Sequence, residues 1–285
     1  MSGLTVLDAG LLSTIQDEGR SGLEAYAVSP SGAADKPAYR LANRIVGNAA
    51  GVAVIETTLG AVHLRAEQDL VIAVTGAPVA LMLDDMGAAM GQAYWVRAGS
   101  ELFLGRPLVG LRSYIAVRGG LAARRVLGSR STDTLGHLGP RPLAAGDHLV
   151  VDHDPERLPA PDQVPTHPIE AHPVLDLLPG PRLDWMEAAS AKVLTSAPFR
   201  ASDQLDRVGT RFDGPSLFRS ITRELASEAI LAGALQLPPS GAPILFGPDH
   251  PTTGGYPVIG VLAERQLPLA AQLRPGQEVR FRWAR

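Results

Sequence analysis

The chain has 285 residues, a formal net charge of −3 and 45% apolar residues. That apolar share excludes a disordered chain, and the length suits one large domain or two small ones. The mild acidity gives no basic surface for nucleic acid or anionic membrane. The absence of cysteine excludes disulfides, thiolate catalysis, iron–sulfur clusters and cysteine-based zinc sites.

With 30 glycines and 24 prolines, a helical bundle is ruled out in favour of short strands joined by tight turns. The N-terminal run Met1–Asp8 has no basic stretch. No apolar run reaches the roughly 18 residues of a membrane span, so the expectation is a soluble, cytoplasmic protein. The first Gly-rich loop, Thr14–Gly22, gathers Gln16, Asp17 and Arg20. A turn accounts for its glycines and Asp17 but leaves Gln16 and Arg20 as candidate binding residues.

Helical spacing of Ala34, Ala38, Leu41, Ala42 and Ile45 predicts a helix over Ala33–Val46. Ser31 or Gly32 is its expected cap and Gly47-Asn48 its stop. Strands are expected at Leu70–Val74, Glu101–Leu104, Tyr114–Val117 and His148–Val151, and then at Ile230–Leu237, Pro243–Phe246, Val258–Leu262 and Glu278–Trp283. A shorter helix is expected from about Leu183 to Leu194. Val96–Leu104, Leu143–Val151 and Leu273–Phe281 share a turn-then-strand pattern around Gly99, Gly146 and Gly276.

Six prolines between Asp152 and Pro173 mark a linker. The expected organisation is therefore a β-rich domain over 1–151, a linker over 152–173 and a second barrel-like domain over 174–285. Strand exchange between the halves stays open.

The chain has only two lysines, Lys36 and Lys192, and neither follows a glycine, so no P-loop is present. Gly-x-Ser-x-Gly and His-Glu-x-x-His are absent as well. Asp147-His148 with Asp152-His153-Asp154, and His167 with His172, read better as turn and linker than as metal ligands.

Loops carry the remaining chemistry. Arg112 opens a strand, and Ser129, Arg130 and Ser131 lie in Gly128–Asp133, a candidate nest for a carboxylate or phosphate. In the second half, Arg207 and Arg211 stand four residues apart. The run Gly247–Pro257 then packs Asp249, His250, Thr252, Thr253 and Tyr256 beside Gly254-Gly255.

Taken in order, Thr14–Arg20, Ser31–Asp35, Arg112–Tyr114, Gly128–Thr132, Asp206–Arg211, Ser227-Glu228, Gly233–Gln236 and Thr252–Pro257 resemble the KipA family, also called allophanate hydrolase subunit 2 or the C component of 5-oxoprolinase. The likeness spans nearly the whole chain. It departs at Leu235, where isoleucine is usual, and at His250-Pro251, which stands in place of Arg-Gln.

The resemblance implies a mainly β fold of two β-barrel-like domains of cyclophilin-like type with a few short helices. It implies two partners, a KipI-like B component and an A component of the LamB/YcsF family, acting together in ATP-dependent opening of 5-oxoproline to glutamate. Two alternatives come with it: the carboxyltransferase component of a biotin-dependent, urea carboxylase-like enzyme, and a regulator that binds a kinase inhibitor. Literal allophanate hydrolysis would need a Ser–Ser–Lys arrangement, which two lysines and no Gly/Ser-rich stretch do not supply.

Under the first reading, Asp249, Thr253 and Tyr256 are expected to face the reacting centre. Gln16, Arg20, Arg112, Ser129, Arg130, Ser131, Arg207, Arg211, Gln236 and Thr252 are expected to bind substrate or anion. No metal is expected, ATP is used at the level of the complex, and biotin belongs only to the carboxyltransferase alternative.

Overall fold

Alternation of apolar residues along each strand decides which of its faces is buried. The computed structural model describes residues 3–152, 158–159, 163–165 and 168–284. It divides into two compact units: Met1–Arg20, Ser31–Asp133 and His137–Ile169 form the first, and Ser21–Pro30, Thr134–Gly136 and Glu170–Arg285 the second. Two short pieces of the N-terminal half belong to the second unit.

In the first unit, a six-stranded and a five-stranded antiparallel sheet face each other. Leu4, Val6, Leu64 and Leu102 from one sheet and Ile15, Ile55, Ile72 and Ile115 from the other fill a shared core. The outer face of the five-stranded sheet is covered by the helix Lys36–Ile45, whose Tyr39, Leu41, Ala42 and Ile45 pack on Val54, Val71, Ala73 and Ala116.

This helix starts later than the sequence pattern suggests. Asp35 caps it by accepting from the Ala38 N–H at 3.0 Å. Ser31 and Gly32 do not cap it, since both adopt left-handed backbone with φ of 53° and 86°. Leu81–Leu83 and Met86–Ala88 form a hairpin with no counterpart among the expected elements. Its turn residues, Asp84 and Asp85, have φ of 47° and 64°, the conformation of a type I′ turn.

The second unit is a closed seven-stranded barrel. In order, its strands are Val174–Pro179, Val258–Leu262, Ala234–Gln236, Ile244–Phe246, Gly209–Asp213, Pro198–Leu205 and Glu278–Trp283. The circle closes through the parallel pairing of the first with the last. Phe199, Phe212 and Phe281 pack edge-to-face in the middle.

Some boundaries differ from expectation. The helix expected from Leu183 to Leu194 is a single 3₁₀ turn, Leu183–Trp185, followed by a helix at Ala188–Ser196. It is interrupted where Met186 bridges to Arg219. Gly233, at φ 85°, breaks the expected Ile230–Leu237 strand. The helix Leu267–Ala271 adds an element that the sequence pattern does not announce.

Part of the proline-rich stretch lies outside the described residues, including His153, Asp154 and His167 of the histidine–carboxylate groups considered above. Val164 donates its N–H to Gly91 O at 2.7 Å and packs against the apolar cluster shared by the first unit's helix and five-stranded sheet. Among the described residues, no helix is long and apolar enough to cross a membrane.

Candidate functional site

The Gly-rich loops of the first unit are bound to each other. Asp17 sits at their centre, with Oδ1 accepting from Ser129 Oγ and Ser131 Oγ at 2.6 Å each and Oδ2 from the Arg130 N–H at 2.6 Å. The donors expected to hold an anion therefore hold the chain's own carboxylate.

Gln16 Nε2 donates to Thr14 Oγ1 and Thr132 O, both at 3.0 Å. Arg20 Nη2 donates to Ser131 O at 2.5 Å, and Arg130 reaches Ala123 O and Asp152 at 2.9 Å. Arg112 is buried beside Glu56 at 3.6 Å. Glu56 in turn accepts from the Ala34 N–H and the Tyr114 hydroxyl at 2.9 Å. Burial first, then the Glu56 charge, push the Tyr114 phenol well above its ordinary range. Each of these residues thus bonds to another part of the first unit.

The second unit has a buried ion pair. Arg207 Nε and Nη2 donate to the two oxygens of Asp249 at 2.9 Å each, with side-chain exposures of 1% and 0%. Asp249 also accepts from Thr134 N and Oγ1, at 2.9 and 2.7 Å. Burial opposes ionisation of Asp249, but the Arg207 charge and these donors outweigh it and hold the carboxyl below its ordinary value. Asp249 and Arg207, expected at a reacting centre and at a bound anion, satisfy each other. The pair fastens the loop that begins at Gly247 to the turn before Gly209: Gly247 N–H bonds to Val208 O at 2.8 Å and Asp249 N–H to Arg207 O at 3.0 Å.

These two segments wall a pocket of about 630 Å³, a size suited to a small molecule. Its floor is the outer face of three barrel strands. Register places Arg211 beside Ile244, Gly209 beside Phe246 and Gln236 beside Ile244, while the alternate residues Phe212, Leu235 and Leu245 point into the core.

The pocket brings together Arg211, Gln236 and Tyr256 of the expected site residues. Gln236 is buried and gives its Nε2 to Tyr256 O at 3.0 Å. Tyr256 is 44% exposed. A Cβ on Gly254 would stand 2.4 Å from Ile230 Cδ1 and 2.8 Å from Gln236 Nε2, so these two buried side chains would have to shift to admit it.

Thr252 and Thr253 are not in the lining. The Thr252 carbonyl accepts from Ile230 N at 2.9 Å, and Thr253 belongs to a two-residue strand paired with Glu228–Ala229. His250, at the family departure, is buried with Nδ1 against Pro251 O at 2.8 Å.

Sequence reasoning missed Asp203, Thr134 and the apolar floor of Ile244 and Phe246. The floor residues carried a signal, since they occupy alternate positions in an expected strand. Asp203 carried none. What the pocket offers chemically is a guanidinium for an anion, carboxylates, an amide and a phenol above an apolar base.

The description "Carboxyltransferase domain, subdomain A and B" fits residues 26–283. The chain is 37% identical to the C subunit of 5-oxoprolinase from Escherichia coli (strain K12), over 98% of its own length and 90% of that protein's. Its fold superposes on the crystal structure of TTHA0988 with a TM-score of 0.91 at 35% identity, covering 99% of this chain and 56% of that one. With the Kluyveromyces lactis urea carboxylase the TM-score is 0.92 at 28% identity, covering 100% of this chain and 27% of that one. This chain thus spans about half of the first solved protein and about a quarter of the second. It belongs to the carboxyltransferase-domain family, subdomains A and B, together with the C subunit of 5-oxoprolinase.

Proposed function

We infer that this chain is the C subunit of a 5-oxoprolinase, a component of a multi-component enzyme that opens 5-oxoproline to L-glutamate. The identity of 37% over 98% of the chain and 90% of the Escherichia coli protein carries this reading. Its partners are a KipI-like B component and an A component of the LamB/YcsF type, and the chain is inactive without them. ATP drives the reaction in the complex, and the protein works in the cytoplasm, where ATP is supplied.

The pocket over Arg211, Gln236 and Tyr256 is its candidate substrate-contacting surface. It is lined by one arginine and two carboxylates, Asp203 and Asp206, a poor match for a triphosphate. That lining supports a reading in which ATP is held by a partner protein. This chain's own contribution is a guanidinium for the substrate carboxylate and a phenol donor for charge that develops on the lactam oxygen.

The likeness to urea carboxylase supports a second reading, carboxyl transfer from a biotin carrier. Co-expression with the genes for the A and B components, followed by an assay for 5-oxoproline-dependent glutamate and ADP, separates the two. Product with all components and none without this chain is the expected result. Turnover only with bicarbonate and a biotinylated carrier would replace it with carboxyl transfer.

A further inference from the structure

Two opposite charges, Asp203 and Arg211, line the pocket of the second unit. The paired strands Pro198–Leu205 and Gly209–Asp213 set Ala201 opposite Phe212 and Leu205 opposite Thr210. Ser202, Asp203 and Gln204 therefore share the space opposite the single residue Arg211. Such a bulge re-aims side chains, whereas a regular ladder would let an opposed Asp and Arg neutralise each other.

Here Asp203 and Arg211 both line the same cavity of about 630 Å³. Among the described residues, neither side chain has a hydrogen-bond or ion-pair partner. The remaining lining charge, Asp206, is committed to the turn, its Oδ1 accepting from Val208 and Gly209 N–H at 2.7 and 3.0 Å.

An unpaired guanidinium and an unpaired carboxylate facing one cavity select a ligand that bears both signs. We propose that this pocket binds an α-amino acid as its zwitterion, with a carboxylate on Arg211 and the ammonium at Asp203. The proposal rests on the 5-oxoprolinase reading. Hydrolysis of a lactam C–N bond consumes one water and converts a neutral amide into a carboxylate and an amine, which takes up a proton to become ammonium. The closed lactam offers Arg211 a carboxylate but offers Asp203 no cation. The pocket is therefore tuned to the ring-opened product, and it discriminates by charge at the nitrogen.

Calorimetric titration of the full chain, without partners, tests this with three probes. They are L-glutamate, 5-oxoproline, and glutarate, which matches glutamate but lacks the ammonium. Glutamate is expected to bind at least about tenfold more tightly than either of the others, a difference of about 1.4 kcal/mol. Asp203→Asn should bring glutamate down to the level of glutarate, and Arg211→Gln should weaken all three. Both residues are exposed, so the variants leave the core untouched, and matching thermal transitions confirm it. Equal binding of glutamate and glutarate, a preference that survives Asp203→Asn, or no binding of any probe overturns the proposal. A reconstituted complex without 5-oxoprolinase activity, beside an intact glutamate preference here, would count against the enzyme assignment alone.

Discussion

Asp249 and Arg207 are nearly solvent-free, so each depends on the other to offset its desolvation. Replacing Arg207 with Met leaves a buried carboxylate without its counter-charge and is expected to cost about 3–5 kcal/mol, read as a shift in urea denaturation. The pH dependence follows from the lowered carboxyl of Asp249. A group whose folded-state pKa lies below its unfolded value of about 3.9 stabilises the fold fully above that value. It loses that contribution as pH falls through the folded value. Wild type and Asp249→Asn should thus differ in stability at neutral pH and converge on acidification below about pH 3.9; a constant gap would show that the carboxylate charge is not what counts. Gly254 tests the pocket wall in the same way. Its Cβ would press on Ile230 and Gln236, so Gly254→Ala should cost about 1–3 kcal/mol and weaken ligand binding in the same titration.

At the scale of turns and strands, the sequence was most legible where one residue's backbone preference decides the geometry. Gly99, Gly146 and Gly276 adopt φ of 88°, 89° and 79°. Each sits third in a turn closed by a backbone bond, Ser100 N–H to Arg97 O, Asp147 N–H to Ala144 O and Gln277 N–H to Arg274 O, which is the signature of a type II turn. The repeated turn-then-strand pattern is this turn used three times. A Cβ on Gly276 would meet nothing within 4 Å, whereas one on Gly60 would stand 2.1 Å from Gly105 O. Gly276→Ala should therefore cost only the left-handed backbone penalty of about 1–2 kcal/mol, and Gly60→Ala clearly more, compared by their denaturation midpoints.

Legibility ended where geometry depends on a distant partner. Ser129 reaches Asp17 across 112 residues of chain, so a loop that reads locally as an anion nest is filled by the protein itself. Likewise the bulge opposite Arg211 arises from strand register, and nothing within Ser202–Gln204 announces it. Asp84-Asp85 turns a hairpin without the glycine that usually marks one. In the same way, Arg211, Gln236 and Tyr256 could be picked out as polar groups in or beside Gly-rich loops, whereas their meeting in one pocket needed the barrel.

Across the whole molecule, the second unit is built from three separate stretches, and the short ones bond to Pro248 and Asp249 at the start of the loop that walls the pocket. All seven barrel strands lie between Val174 and Trp283, so Glu170–Arg285 contains the complete barrel and its core. That fragment lacks Thr134, which supplies two donors to Asp249, and Ser29, whose Oγ donates to Pro248 O at 3.0 Å. Asp249 is fully buried, and a buried acceptor that loses a donor costs about 1–3 kcal/mol, a large share of the roughly 5–15 kcal/mol that holds a domain folded. The loss is concentrated on Pro248 and Asp249, next to the loop that walls the cavity, and leaves the phenylalanine-packed interior intact. Expressed alone, residues 170–285 should keep dispersed amide resonances for the barrel strands. Resonances from 247–256 should broaden, and glutamate binding should fall below that of the full chain. Thr134→Val in the full chain removes one of the lost donors and should reproduce part of the effect. A fragment that binds as tightly as the full chain would show that the inserted stretches are ornamental to the pocket; weaker binding with an intact barrel would show that the inserted stretches hold its binding loop in place.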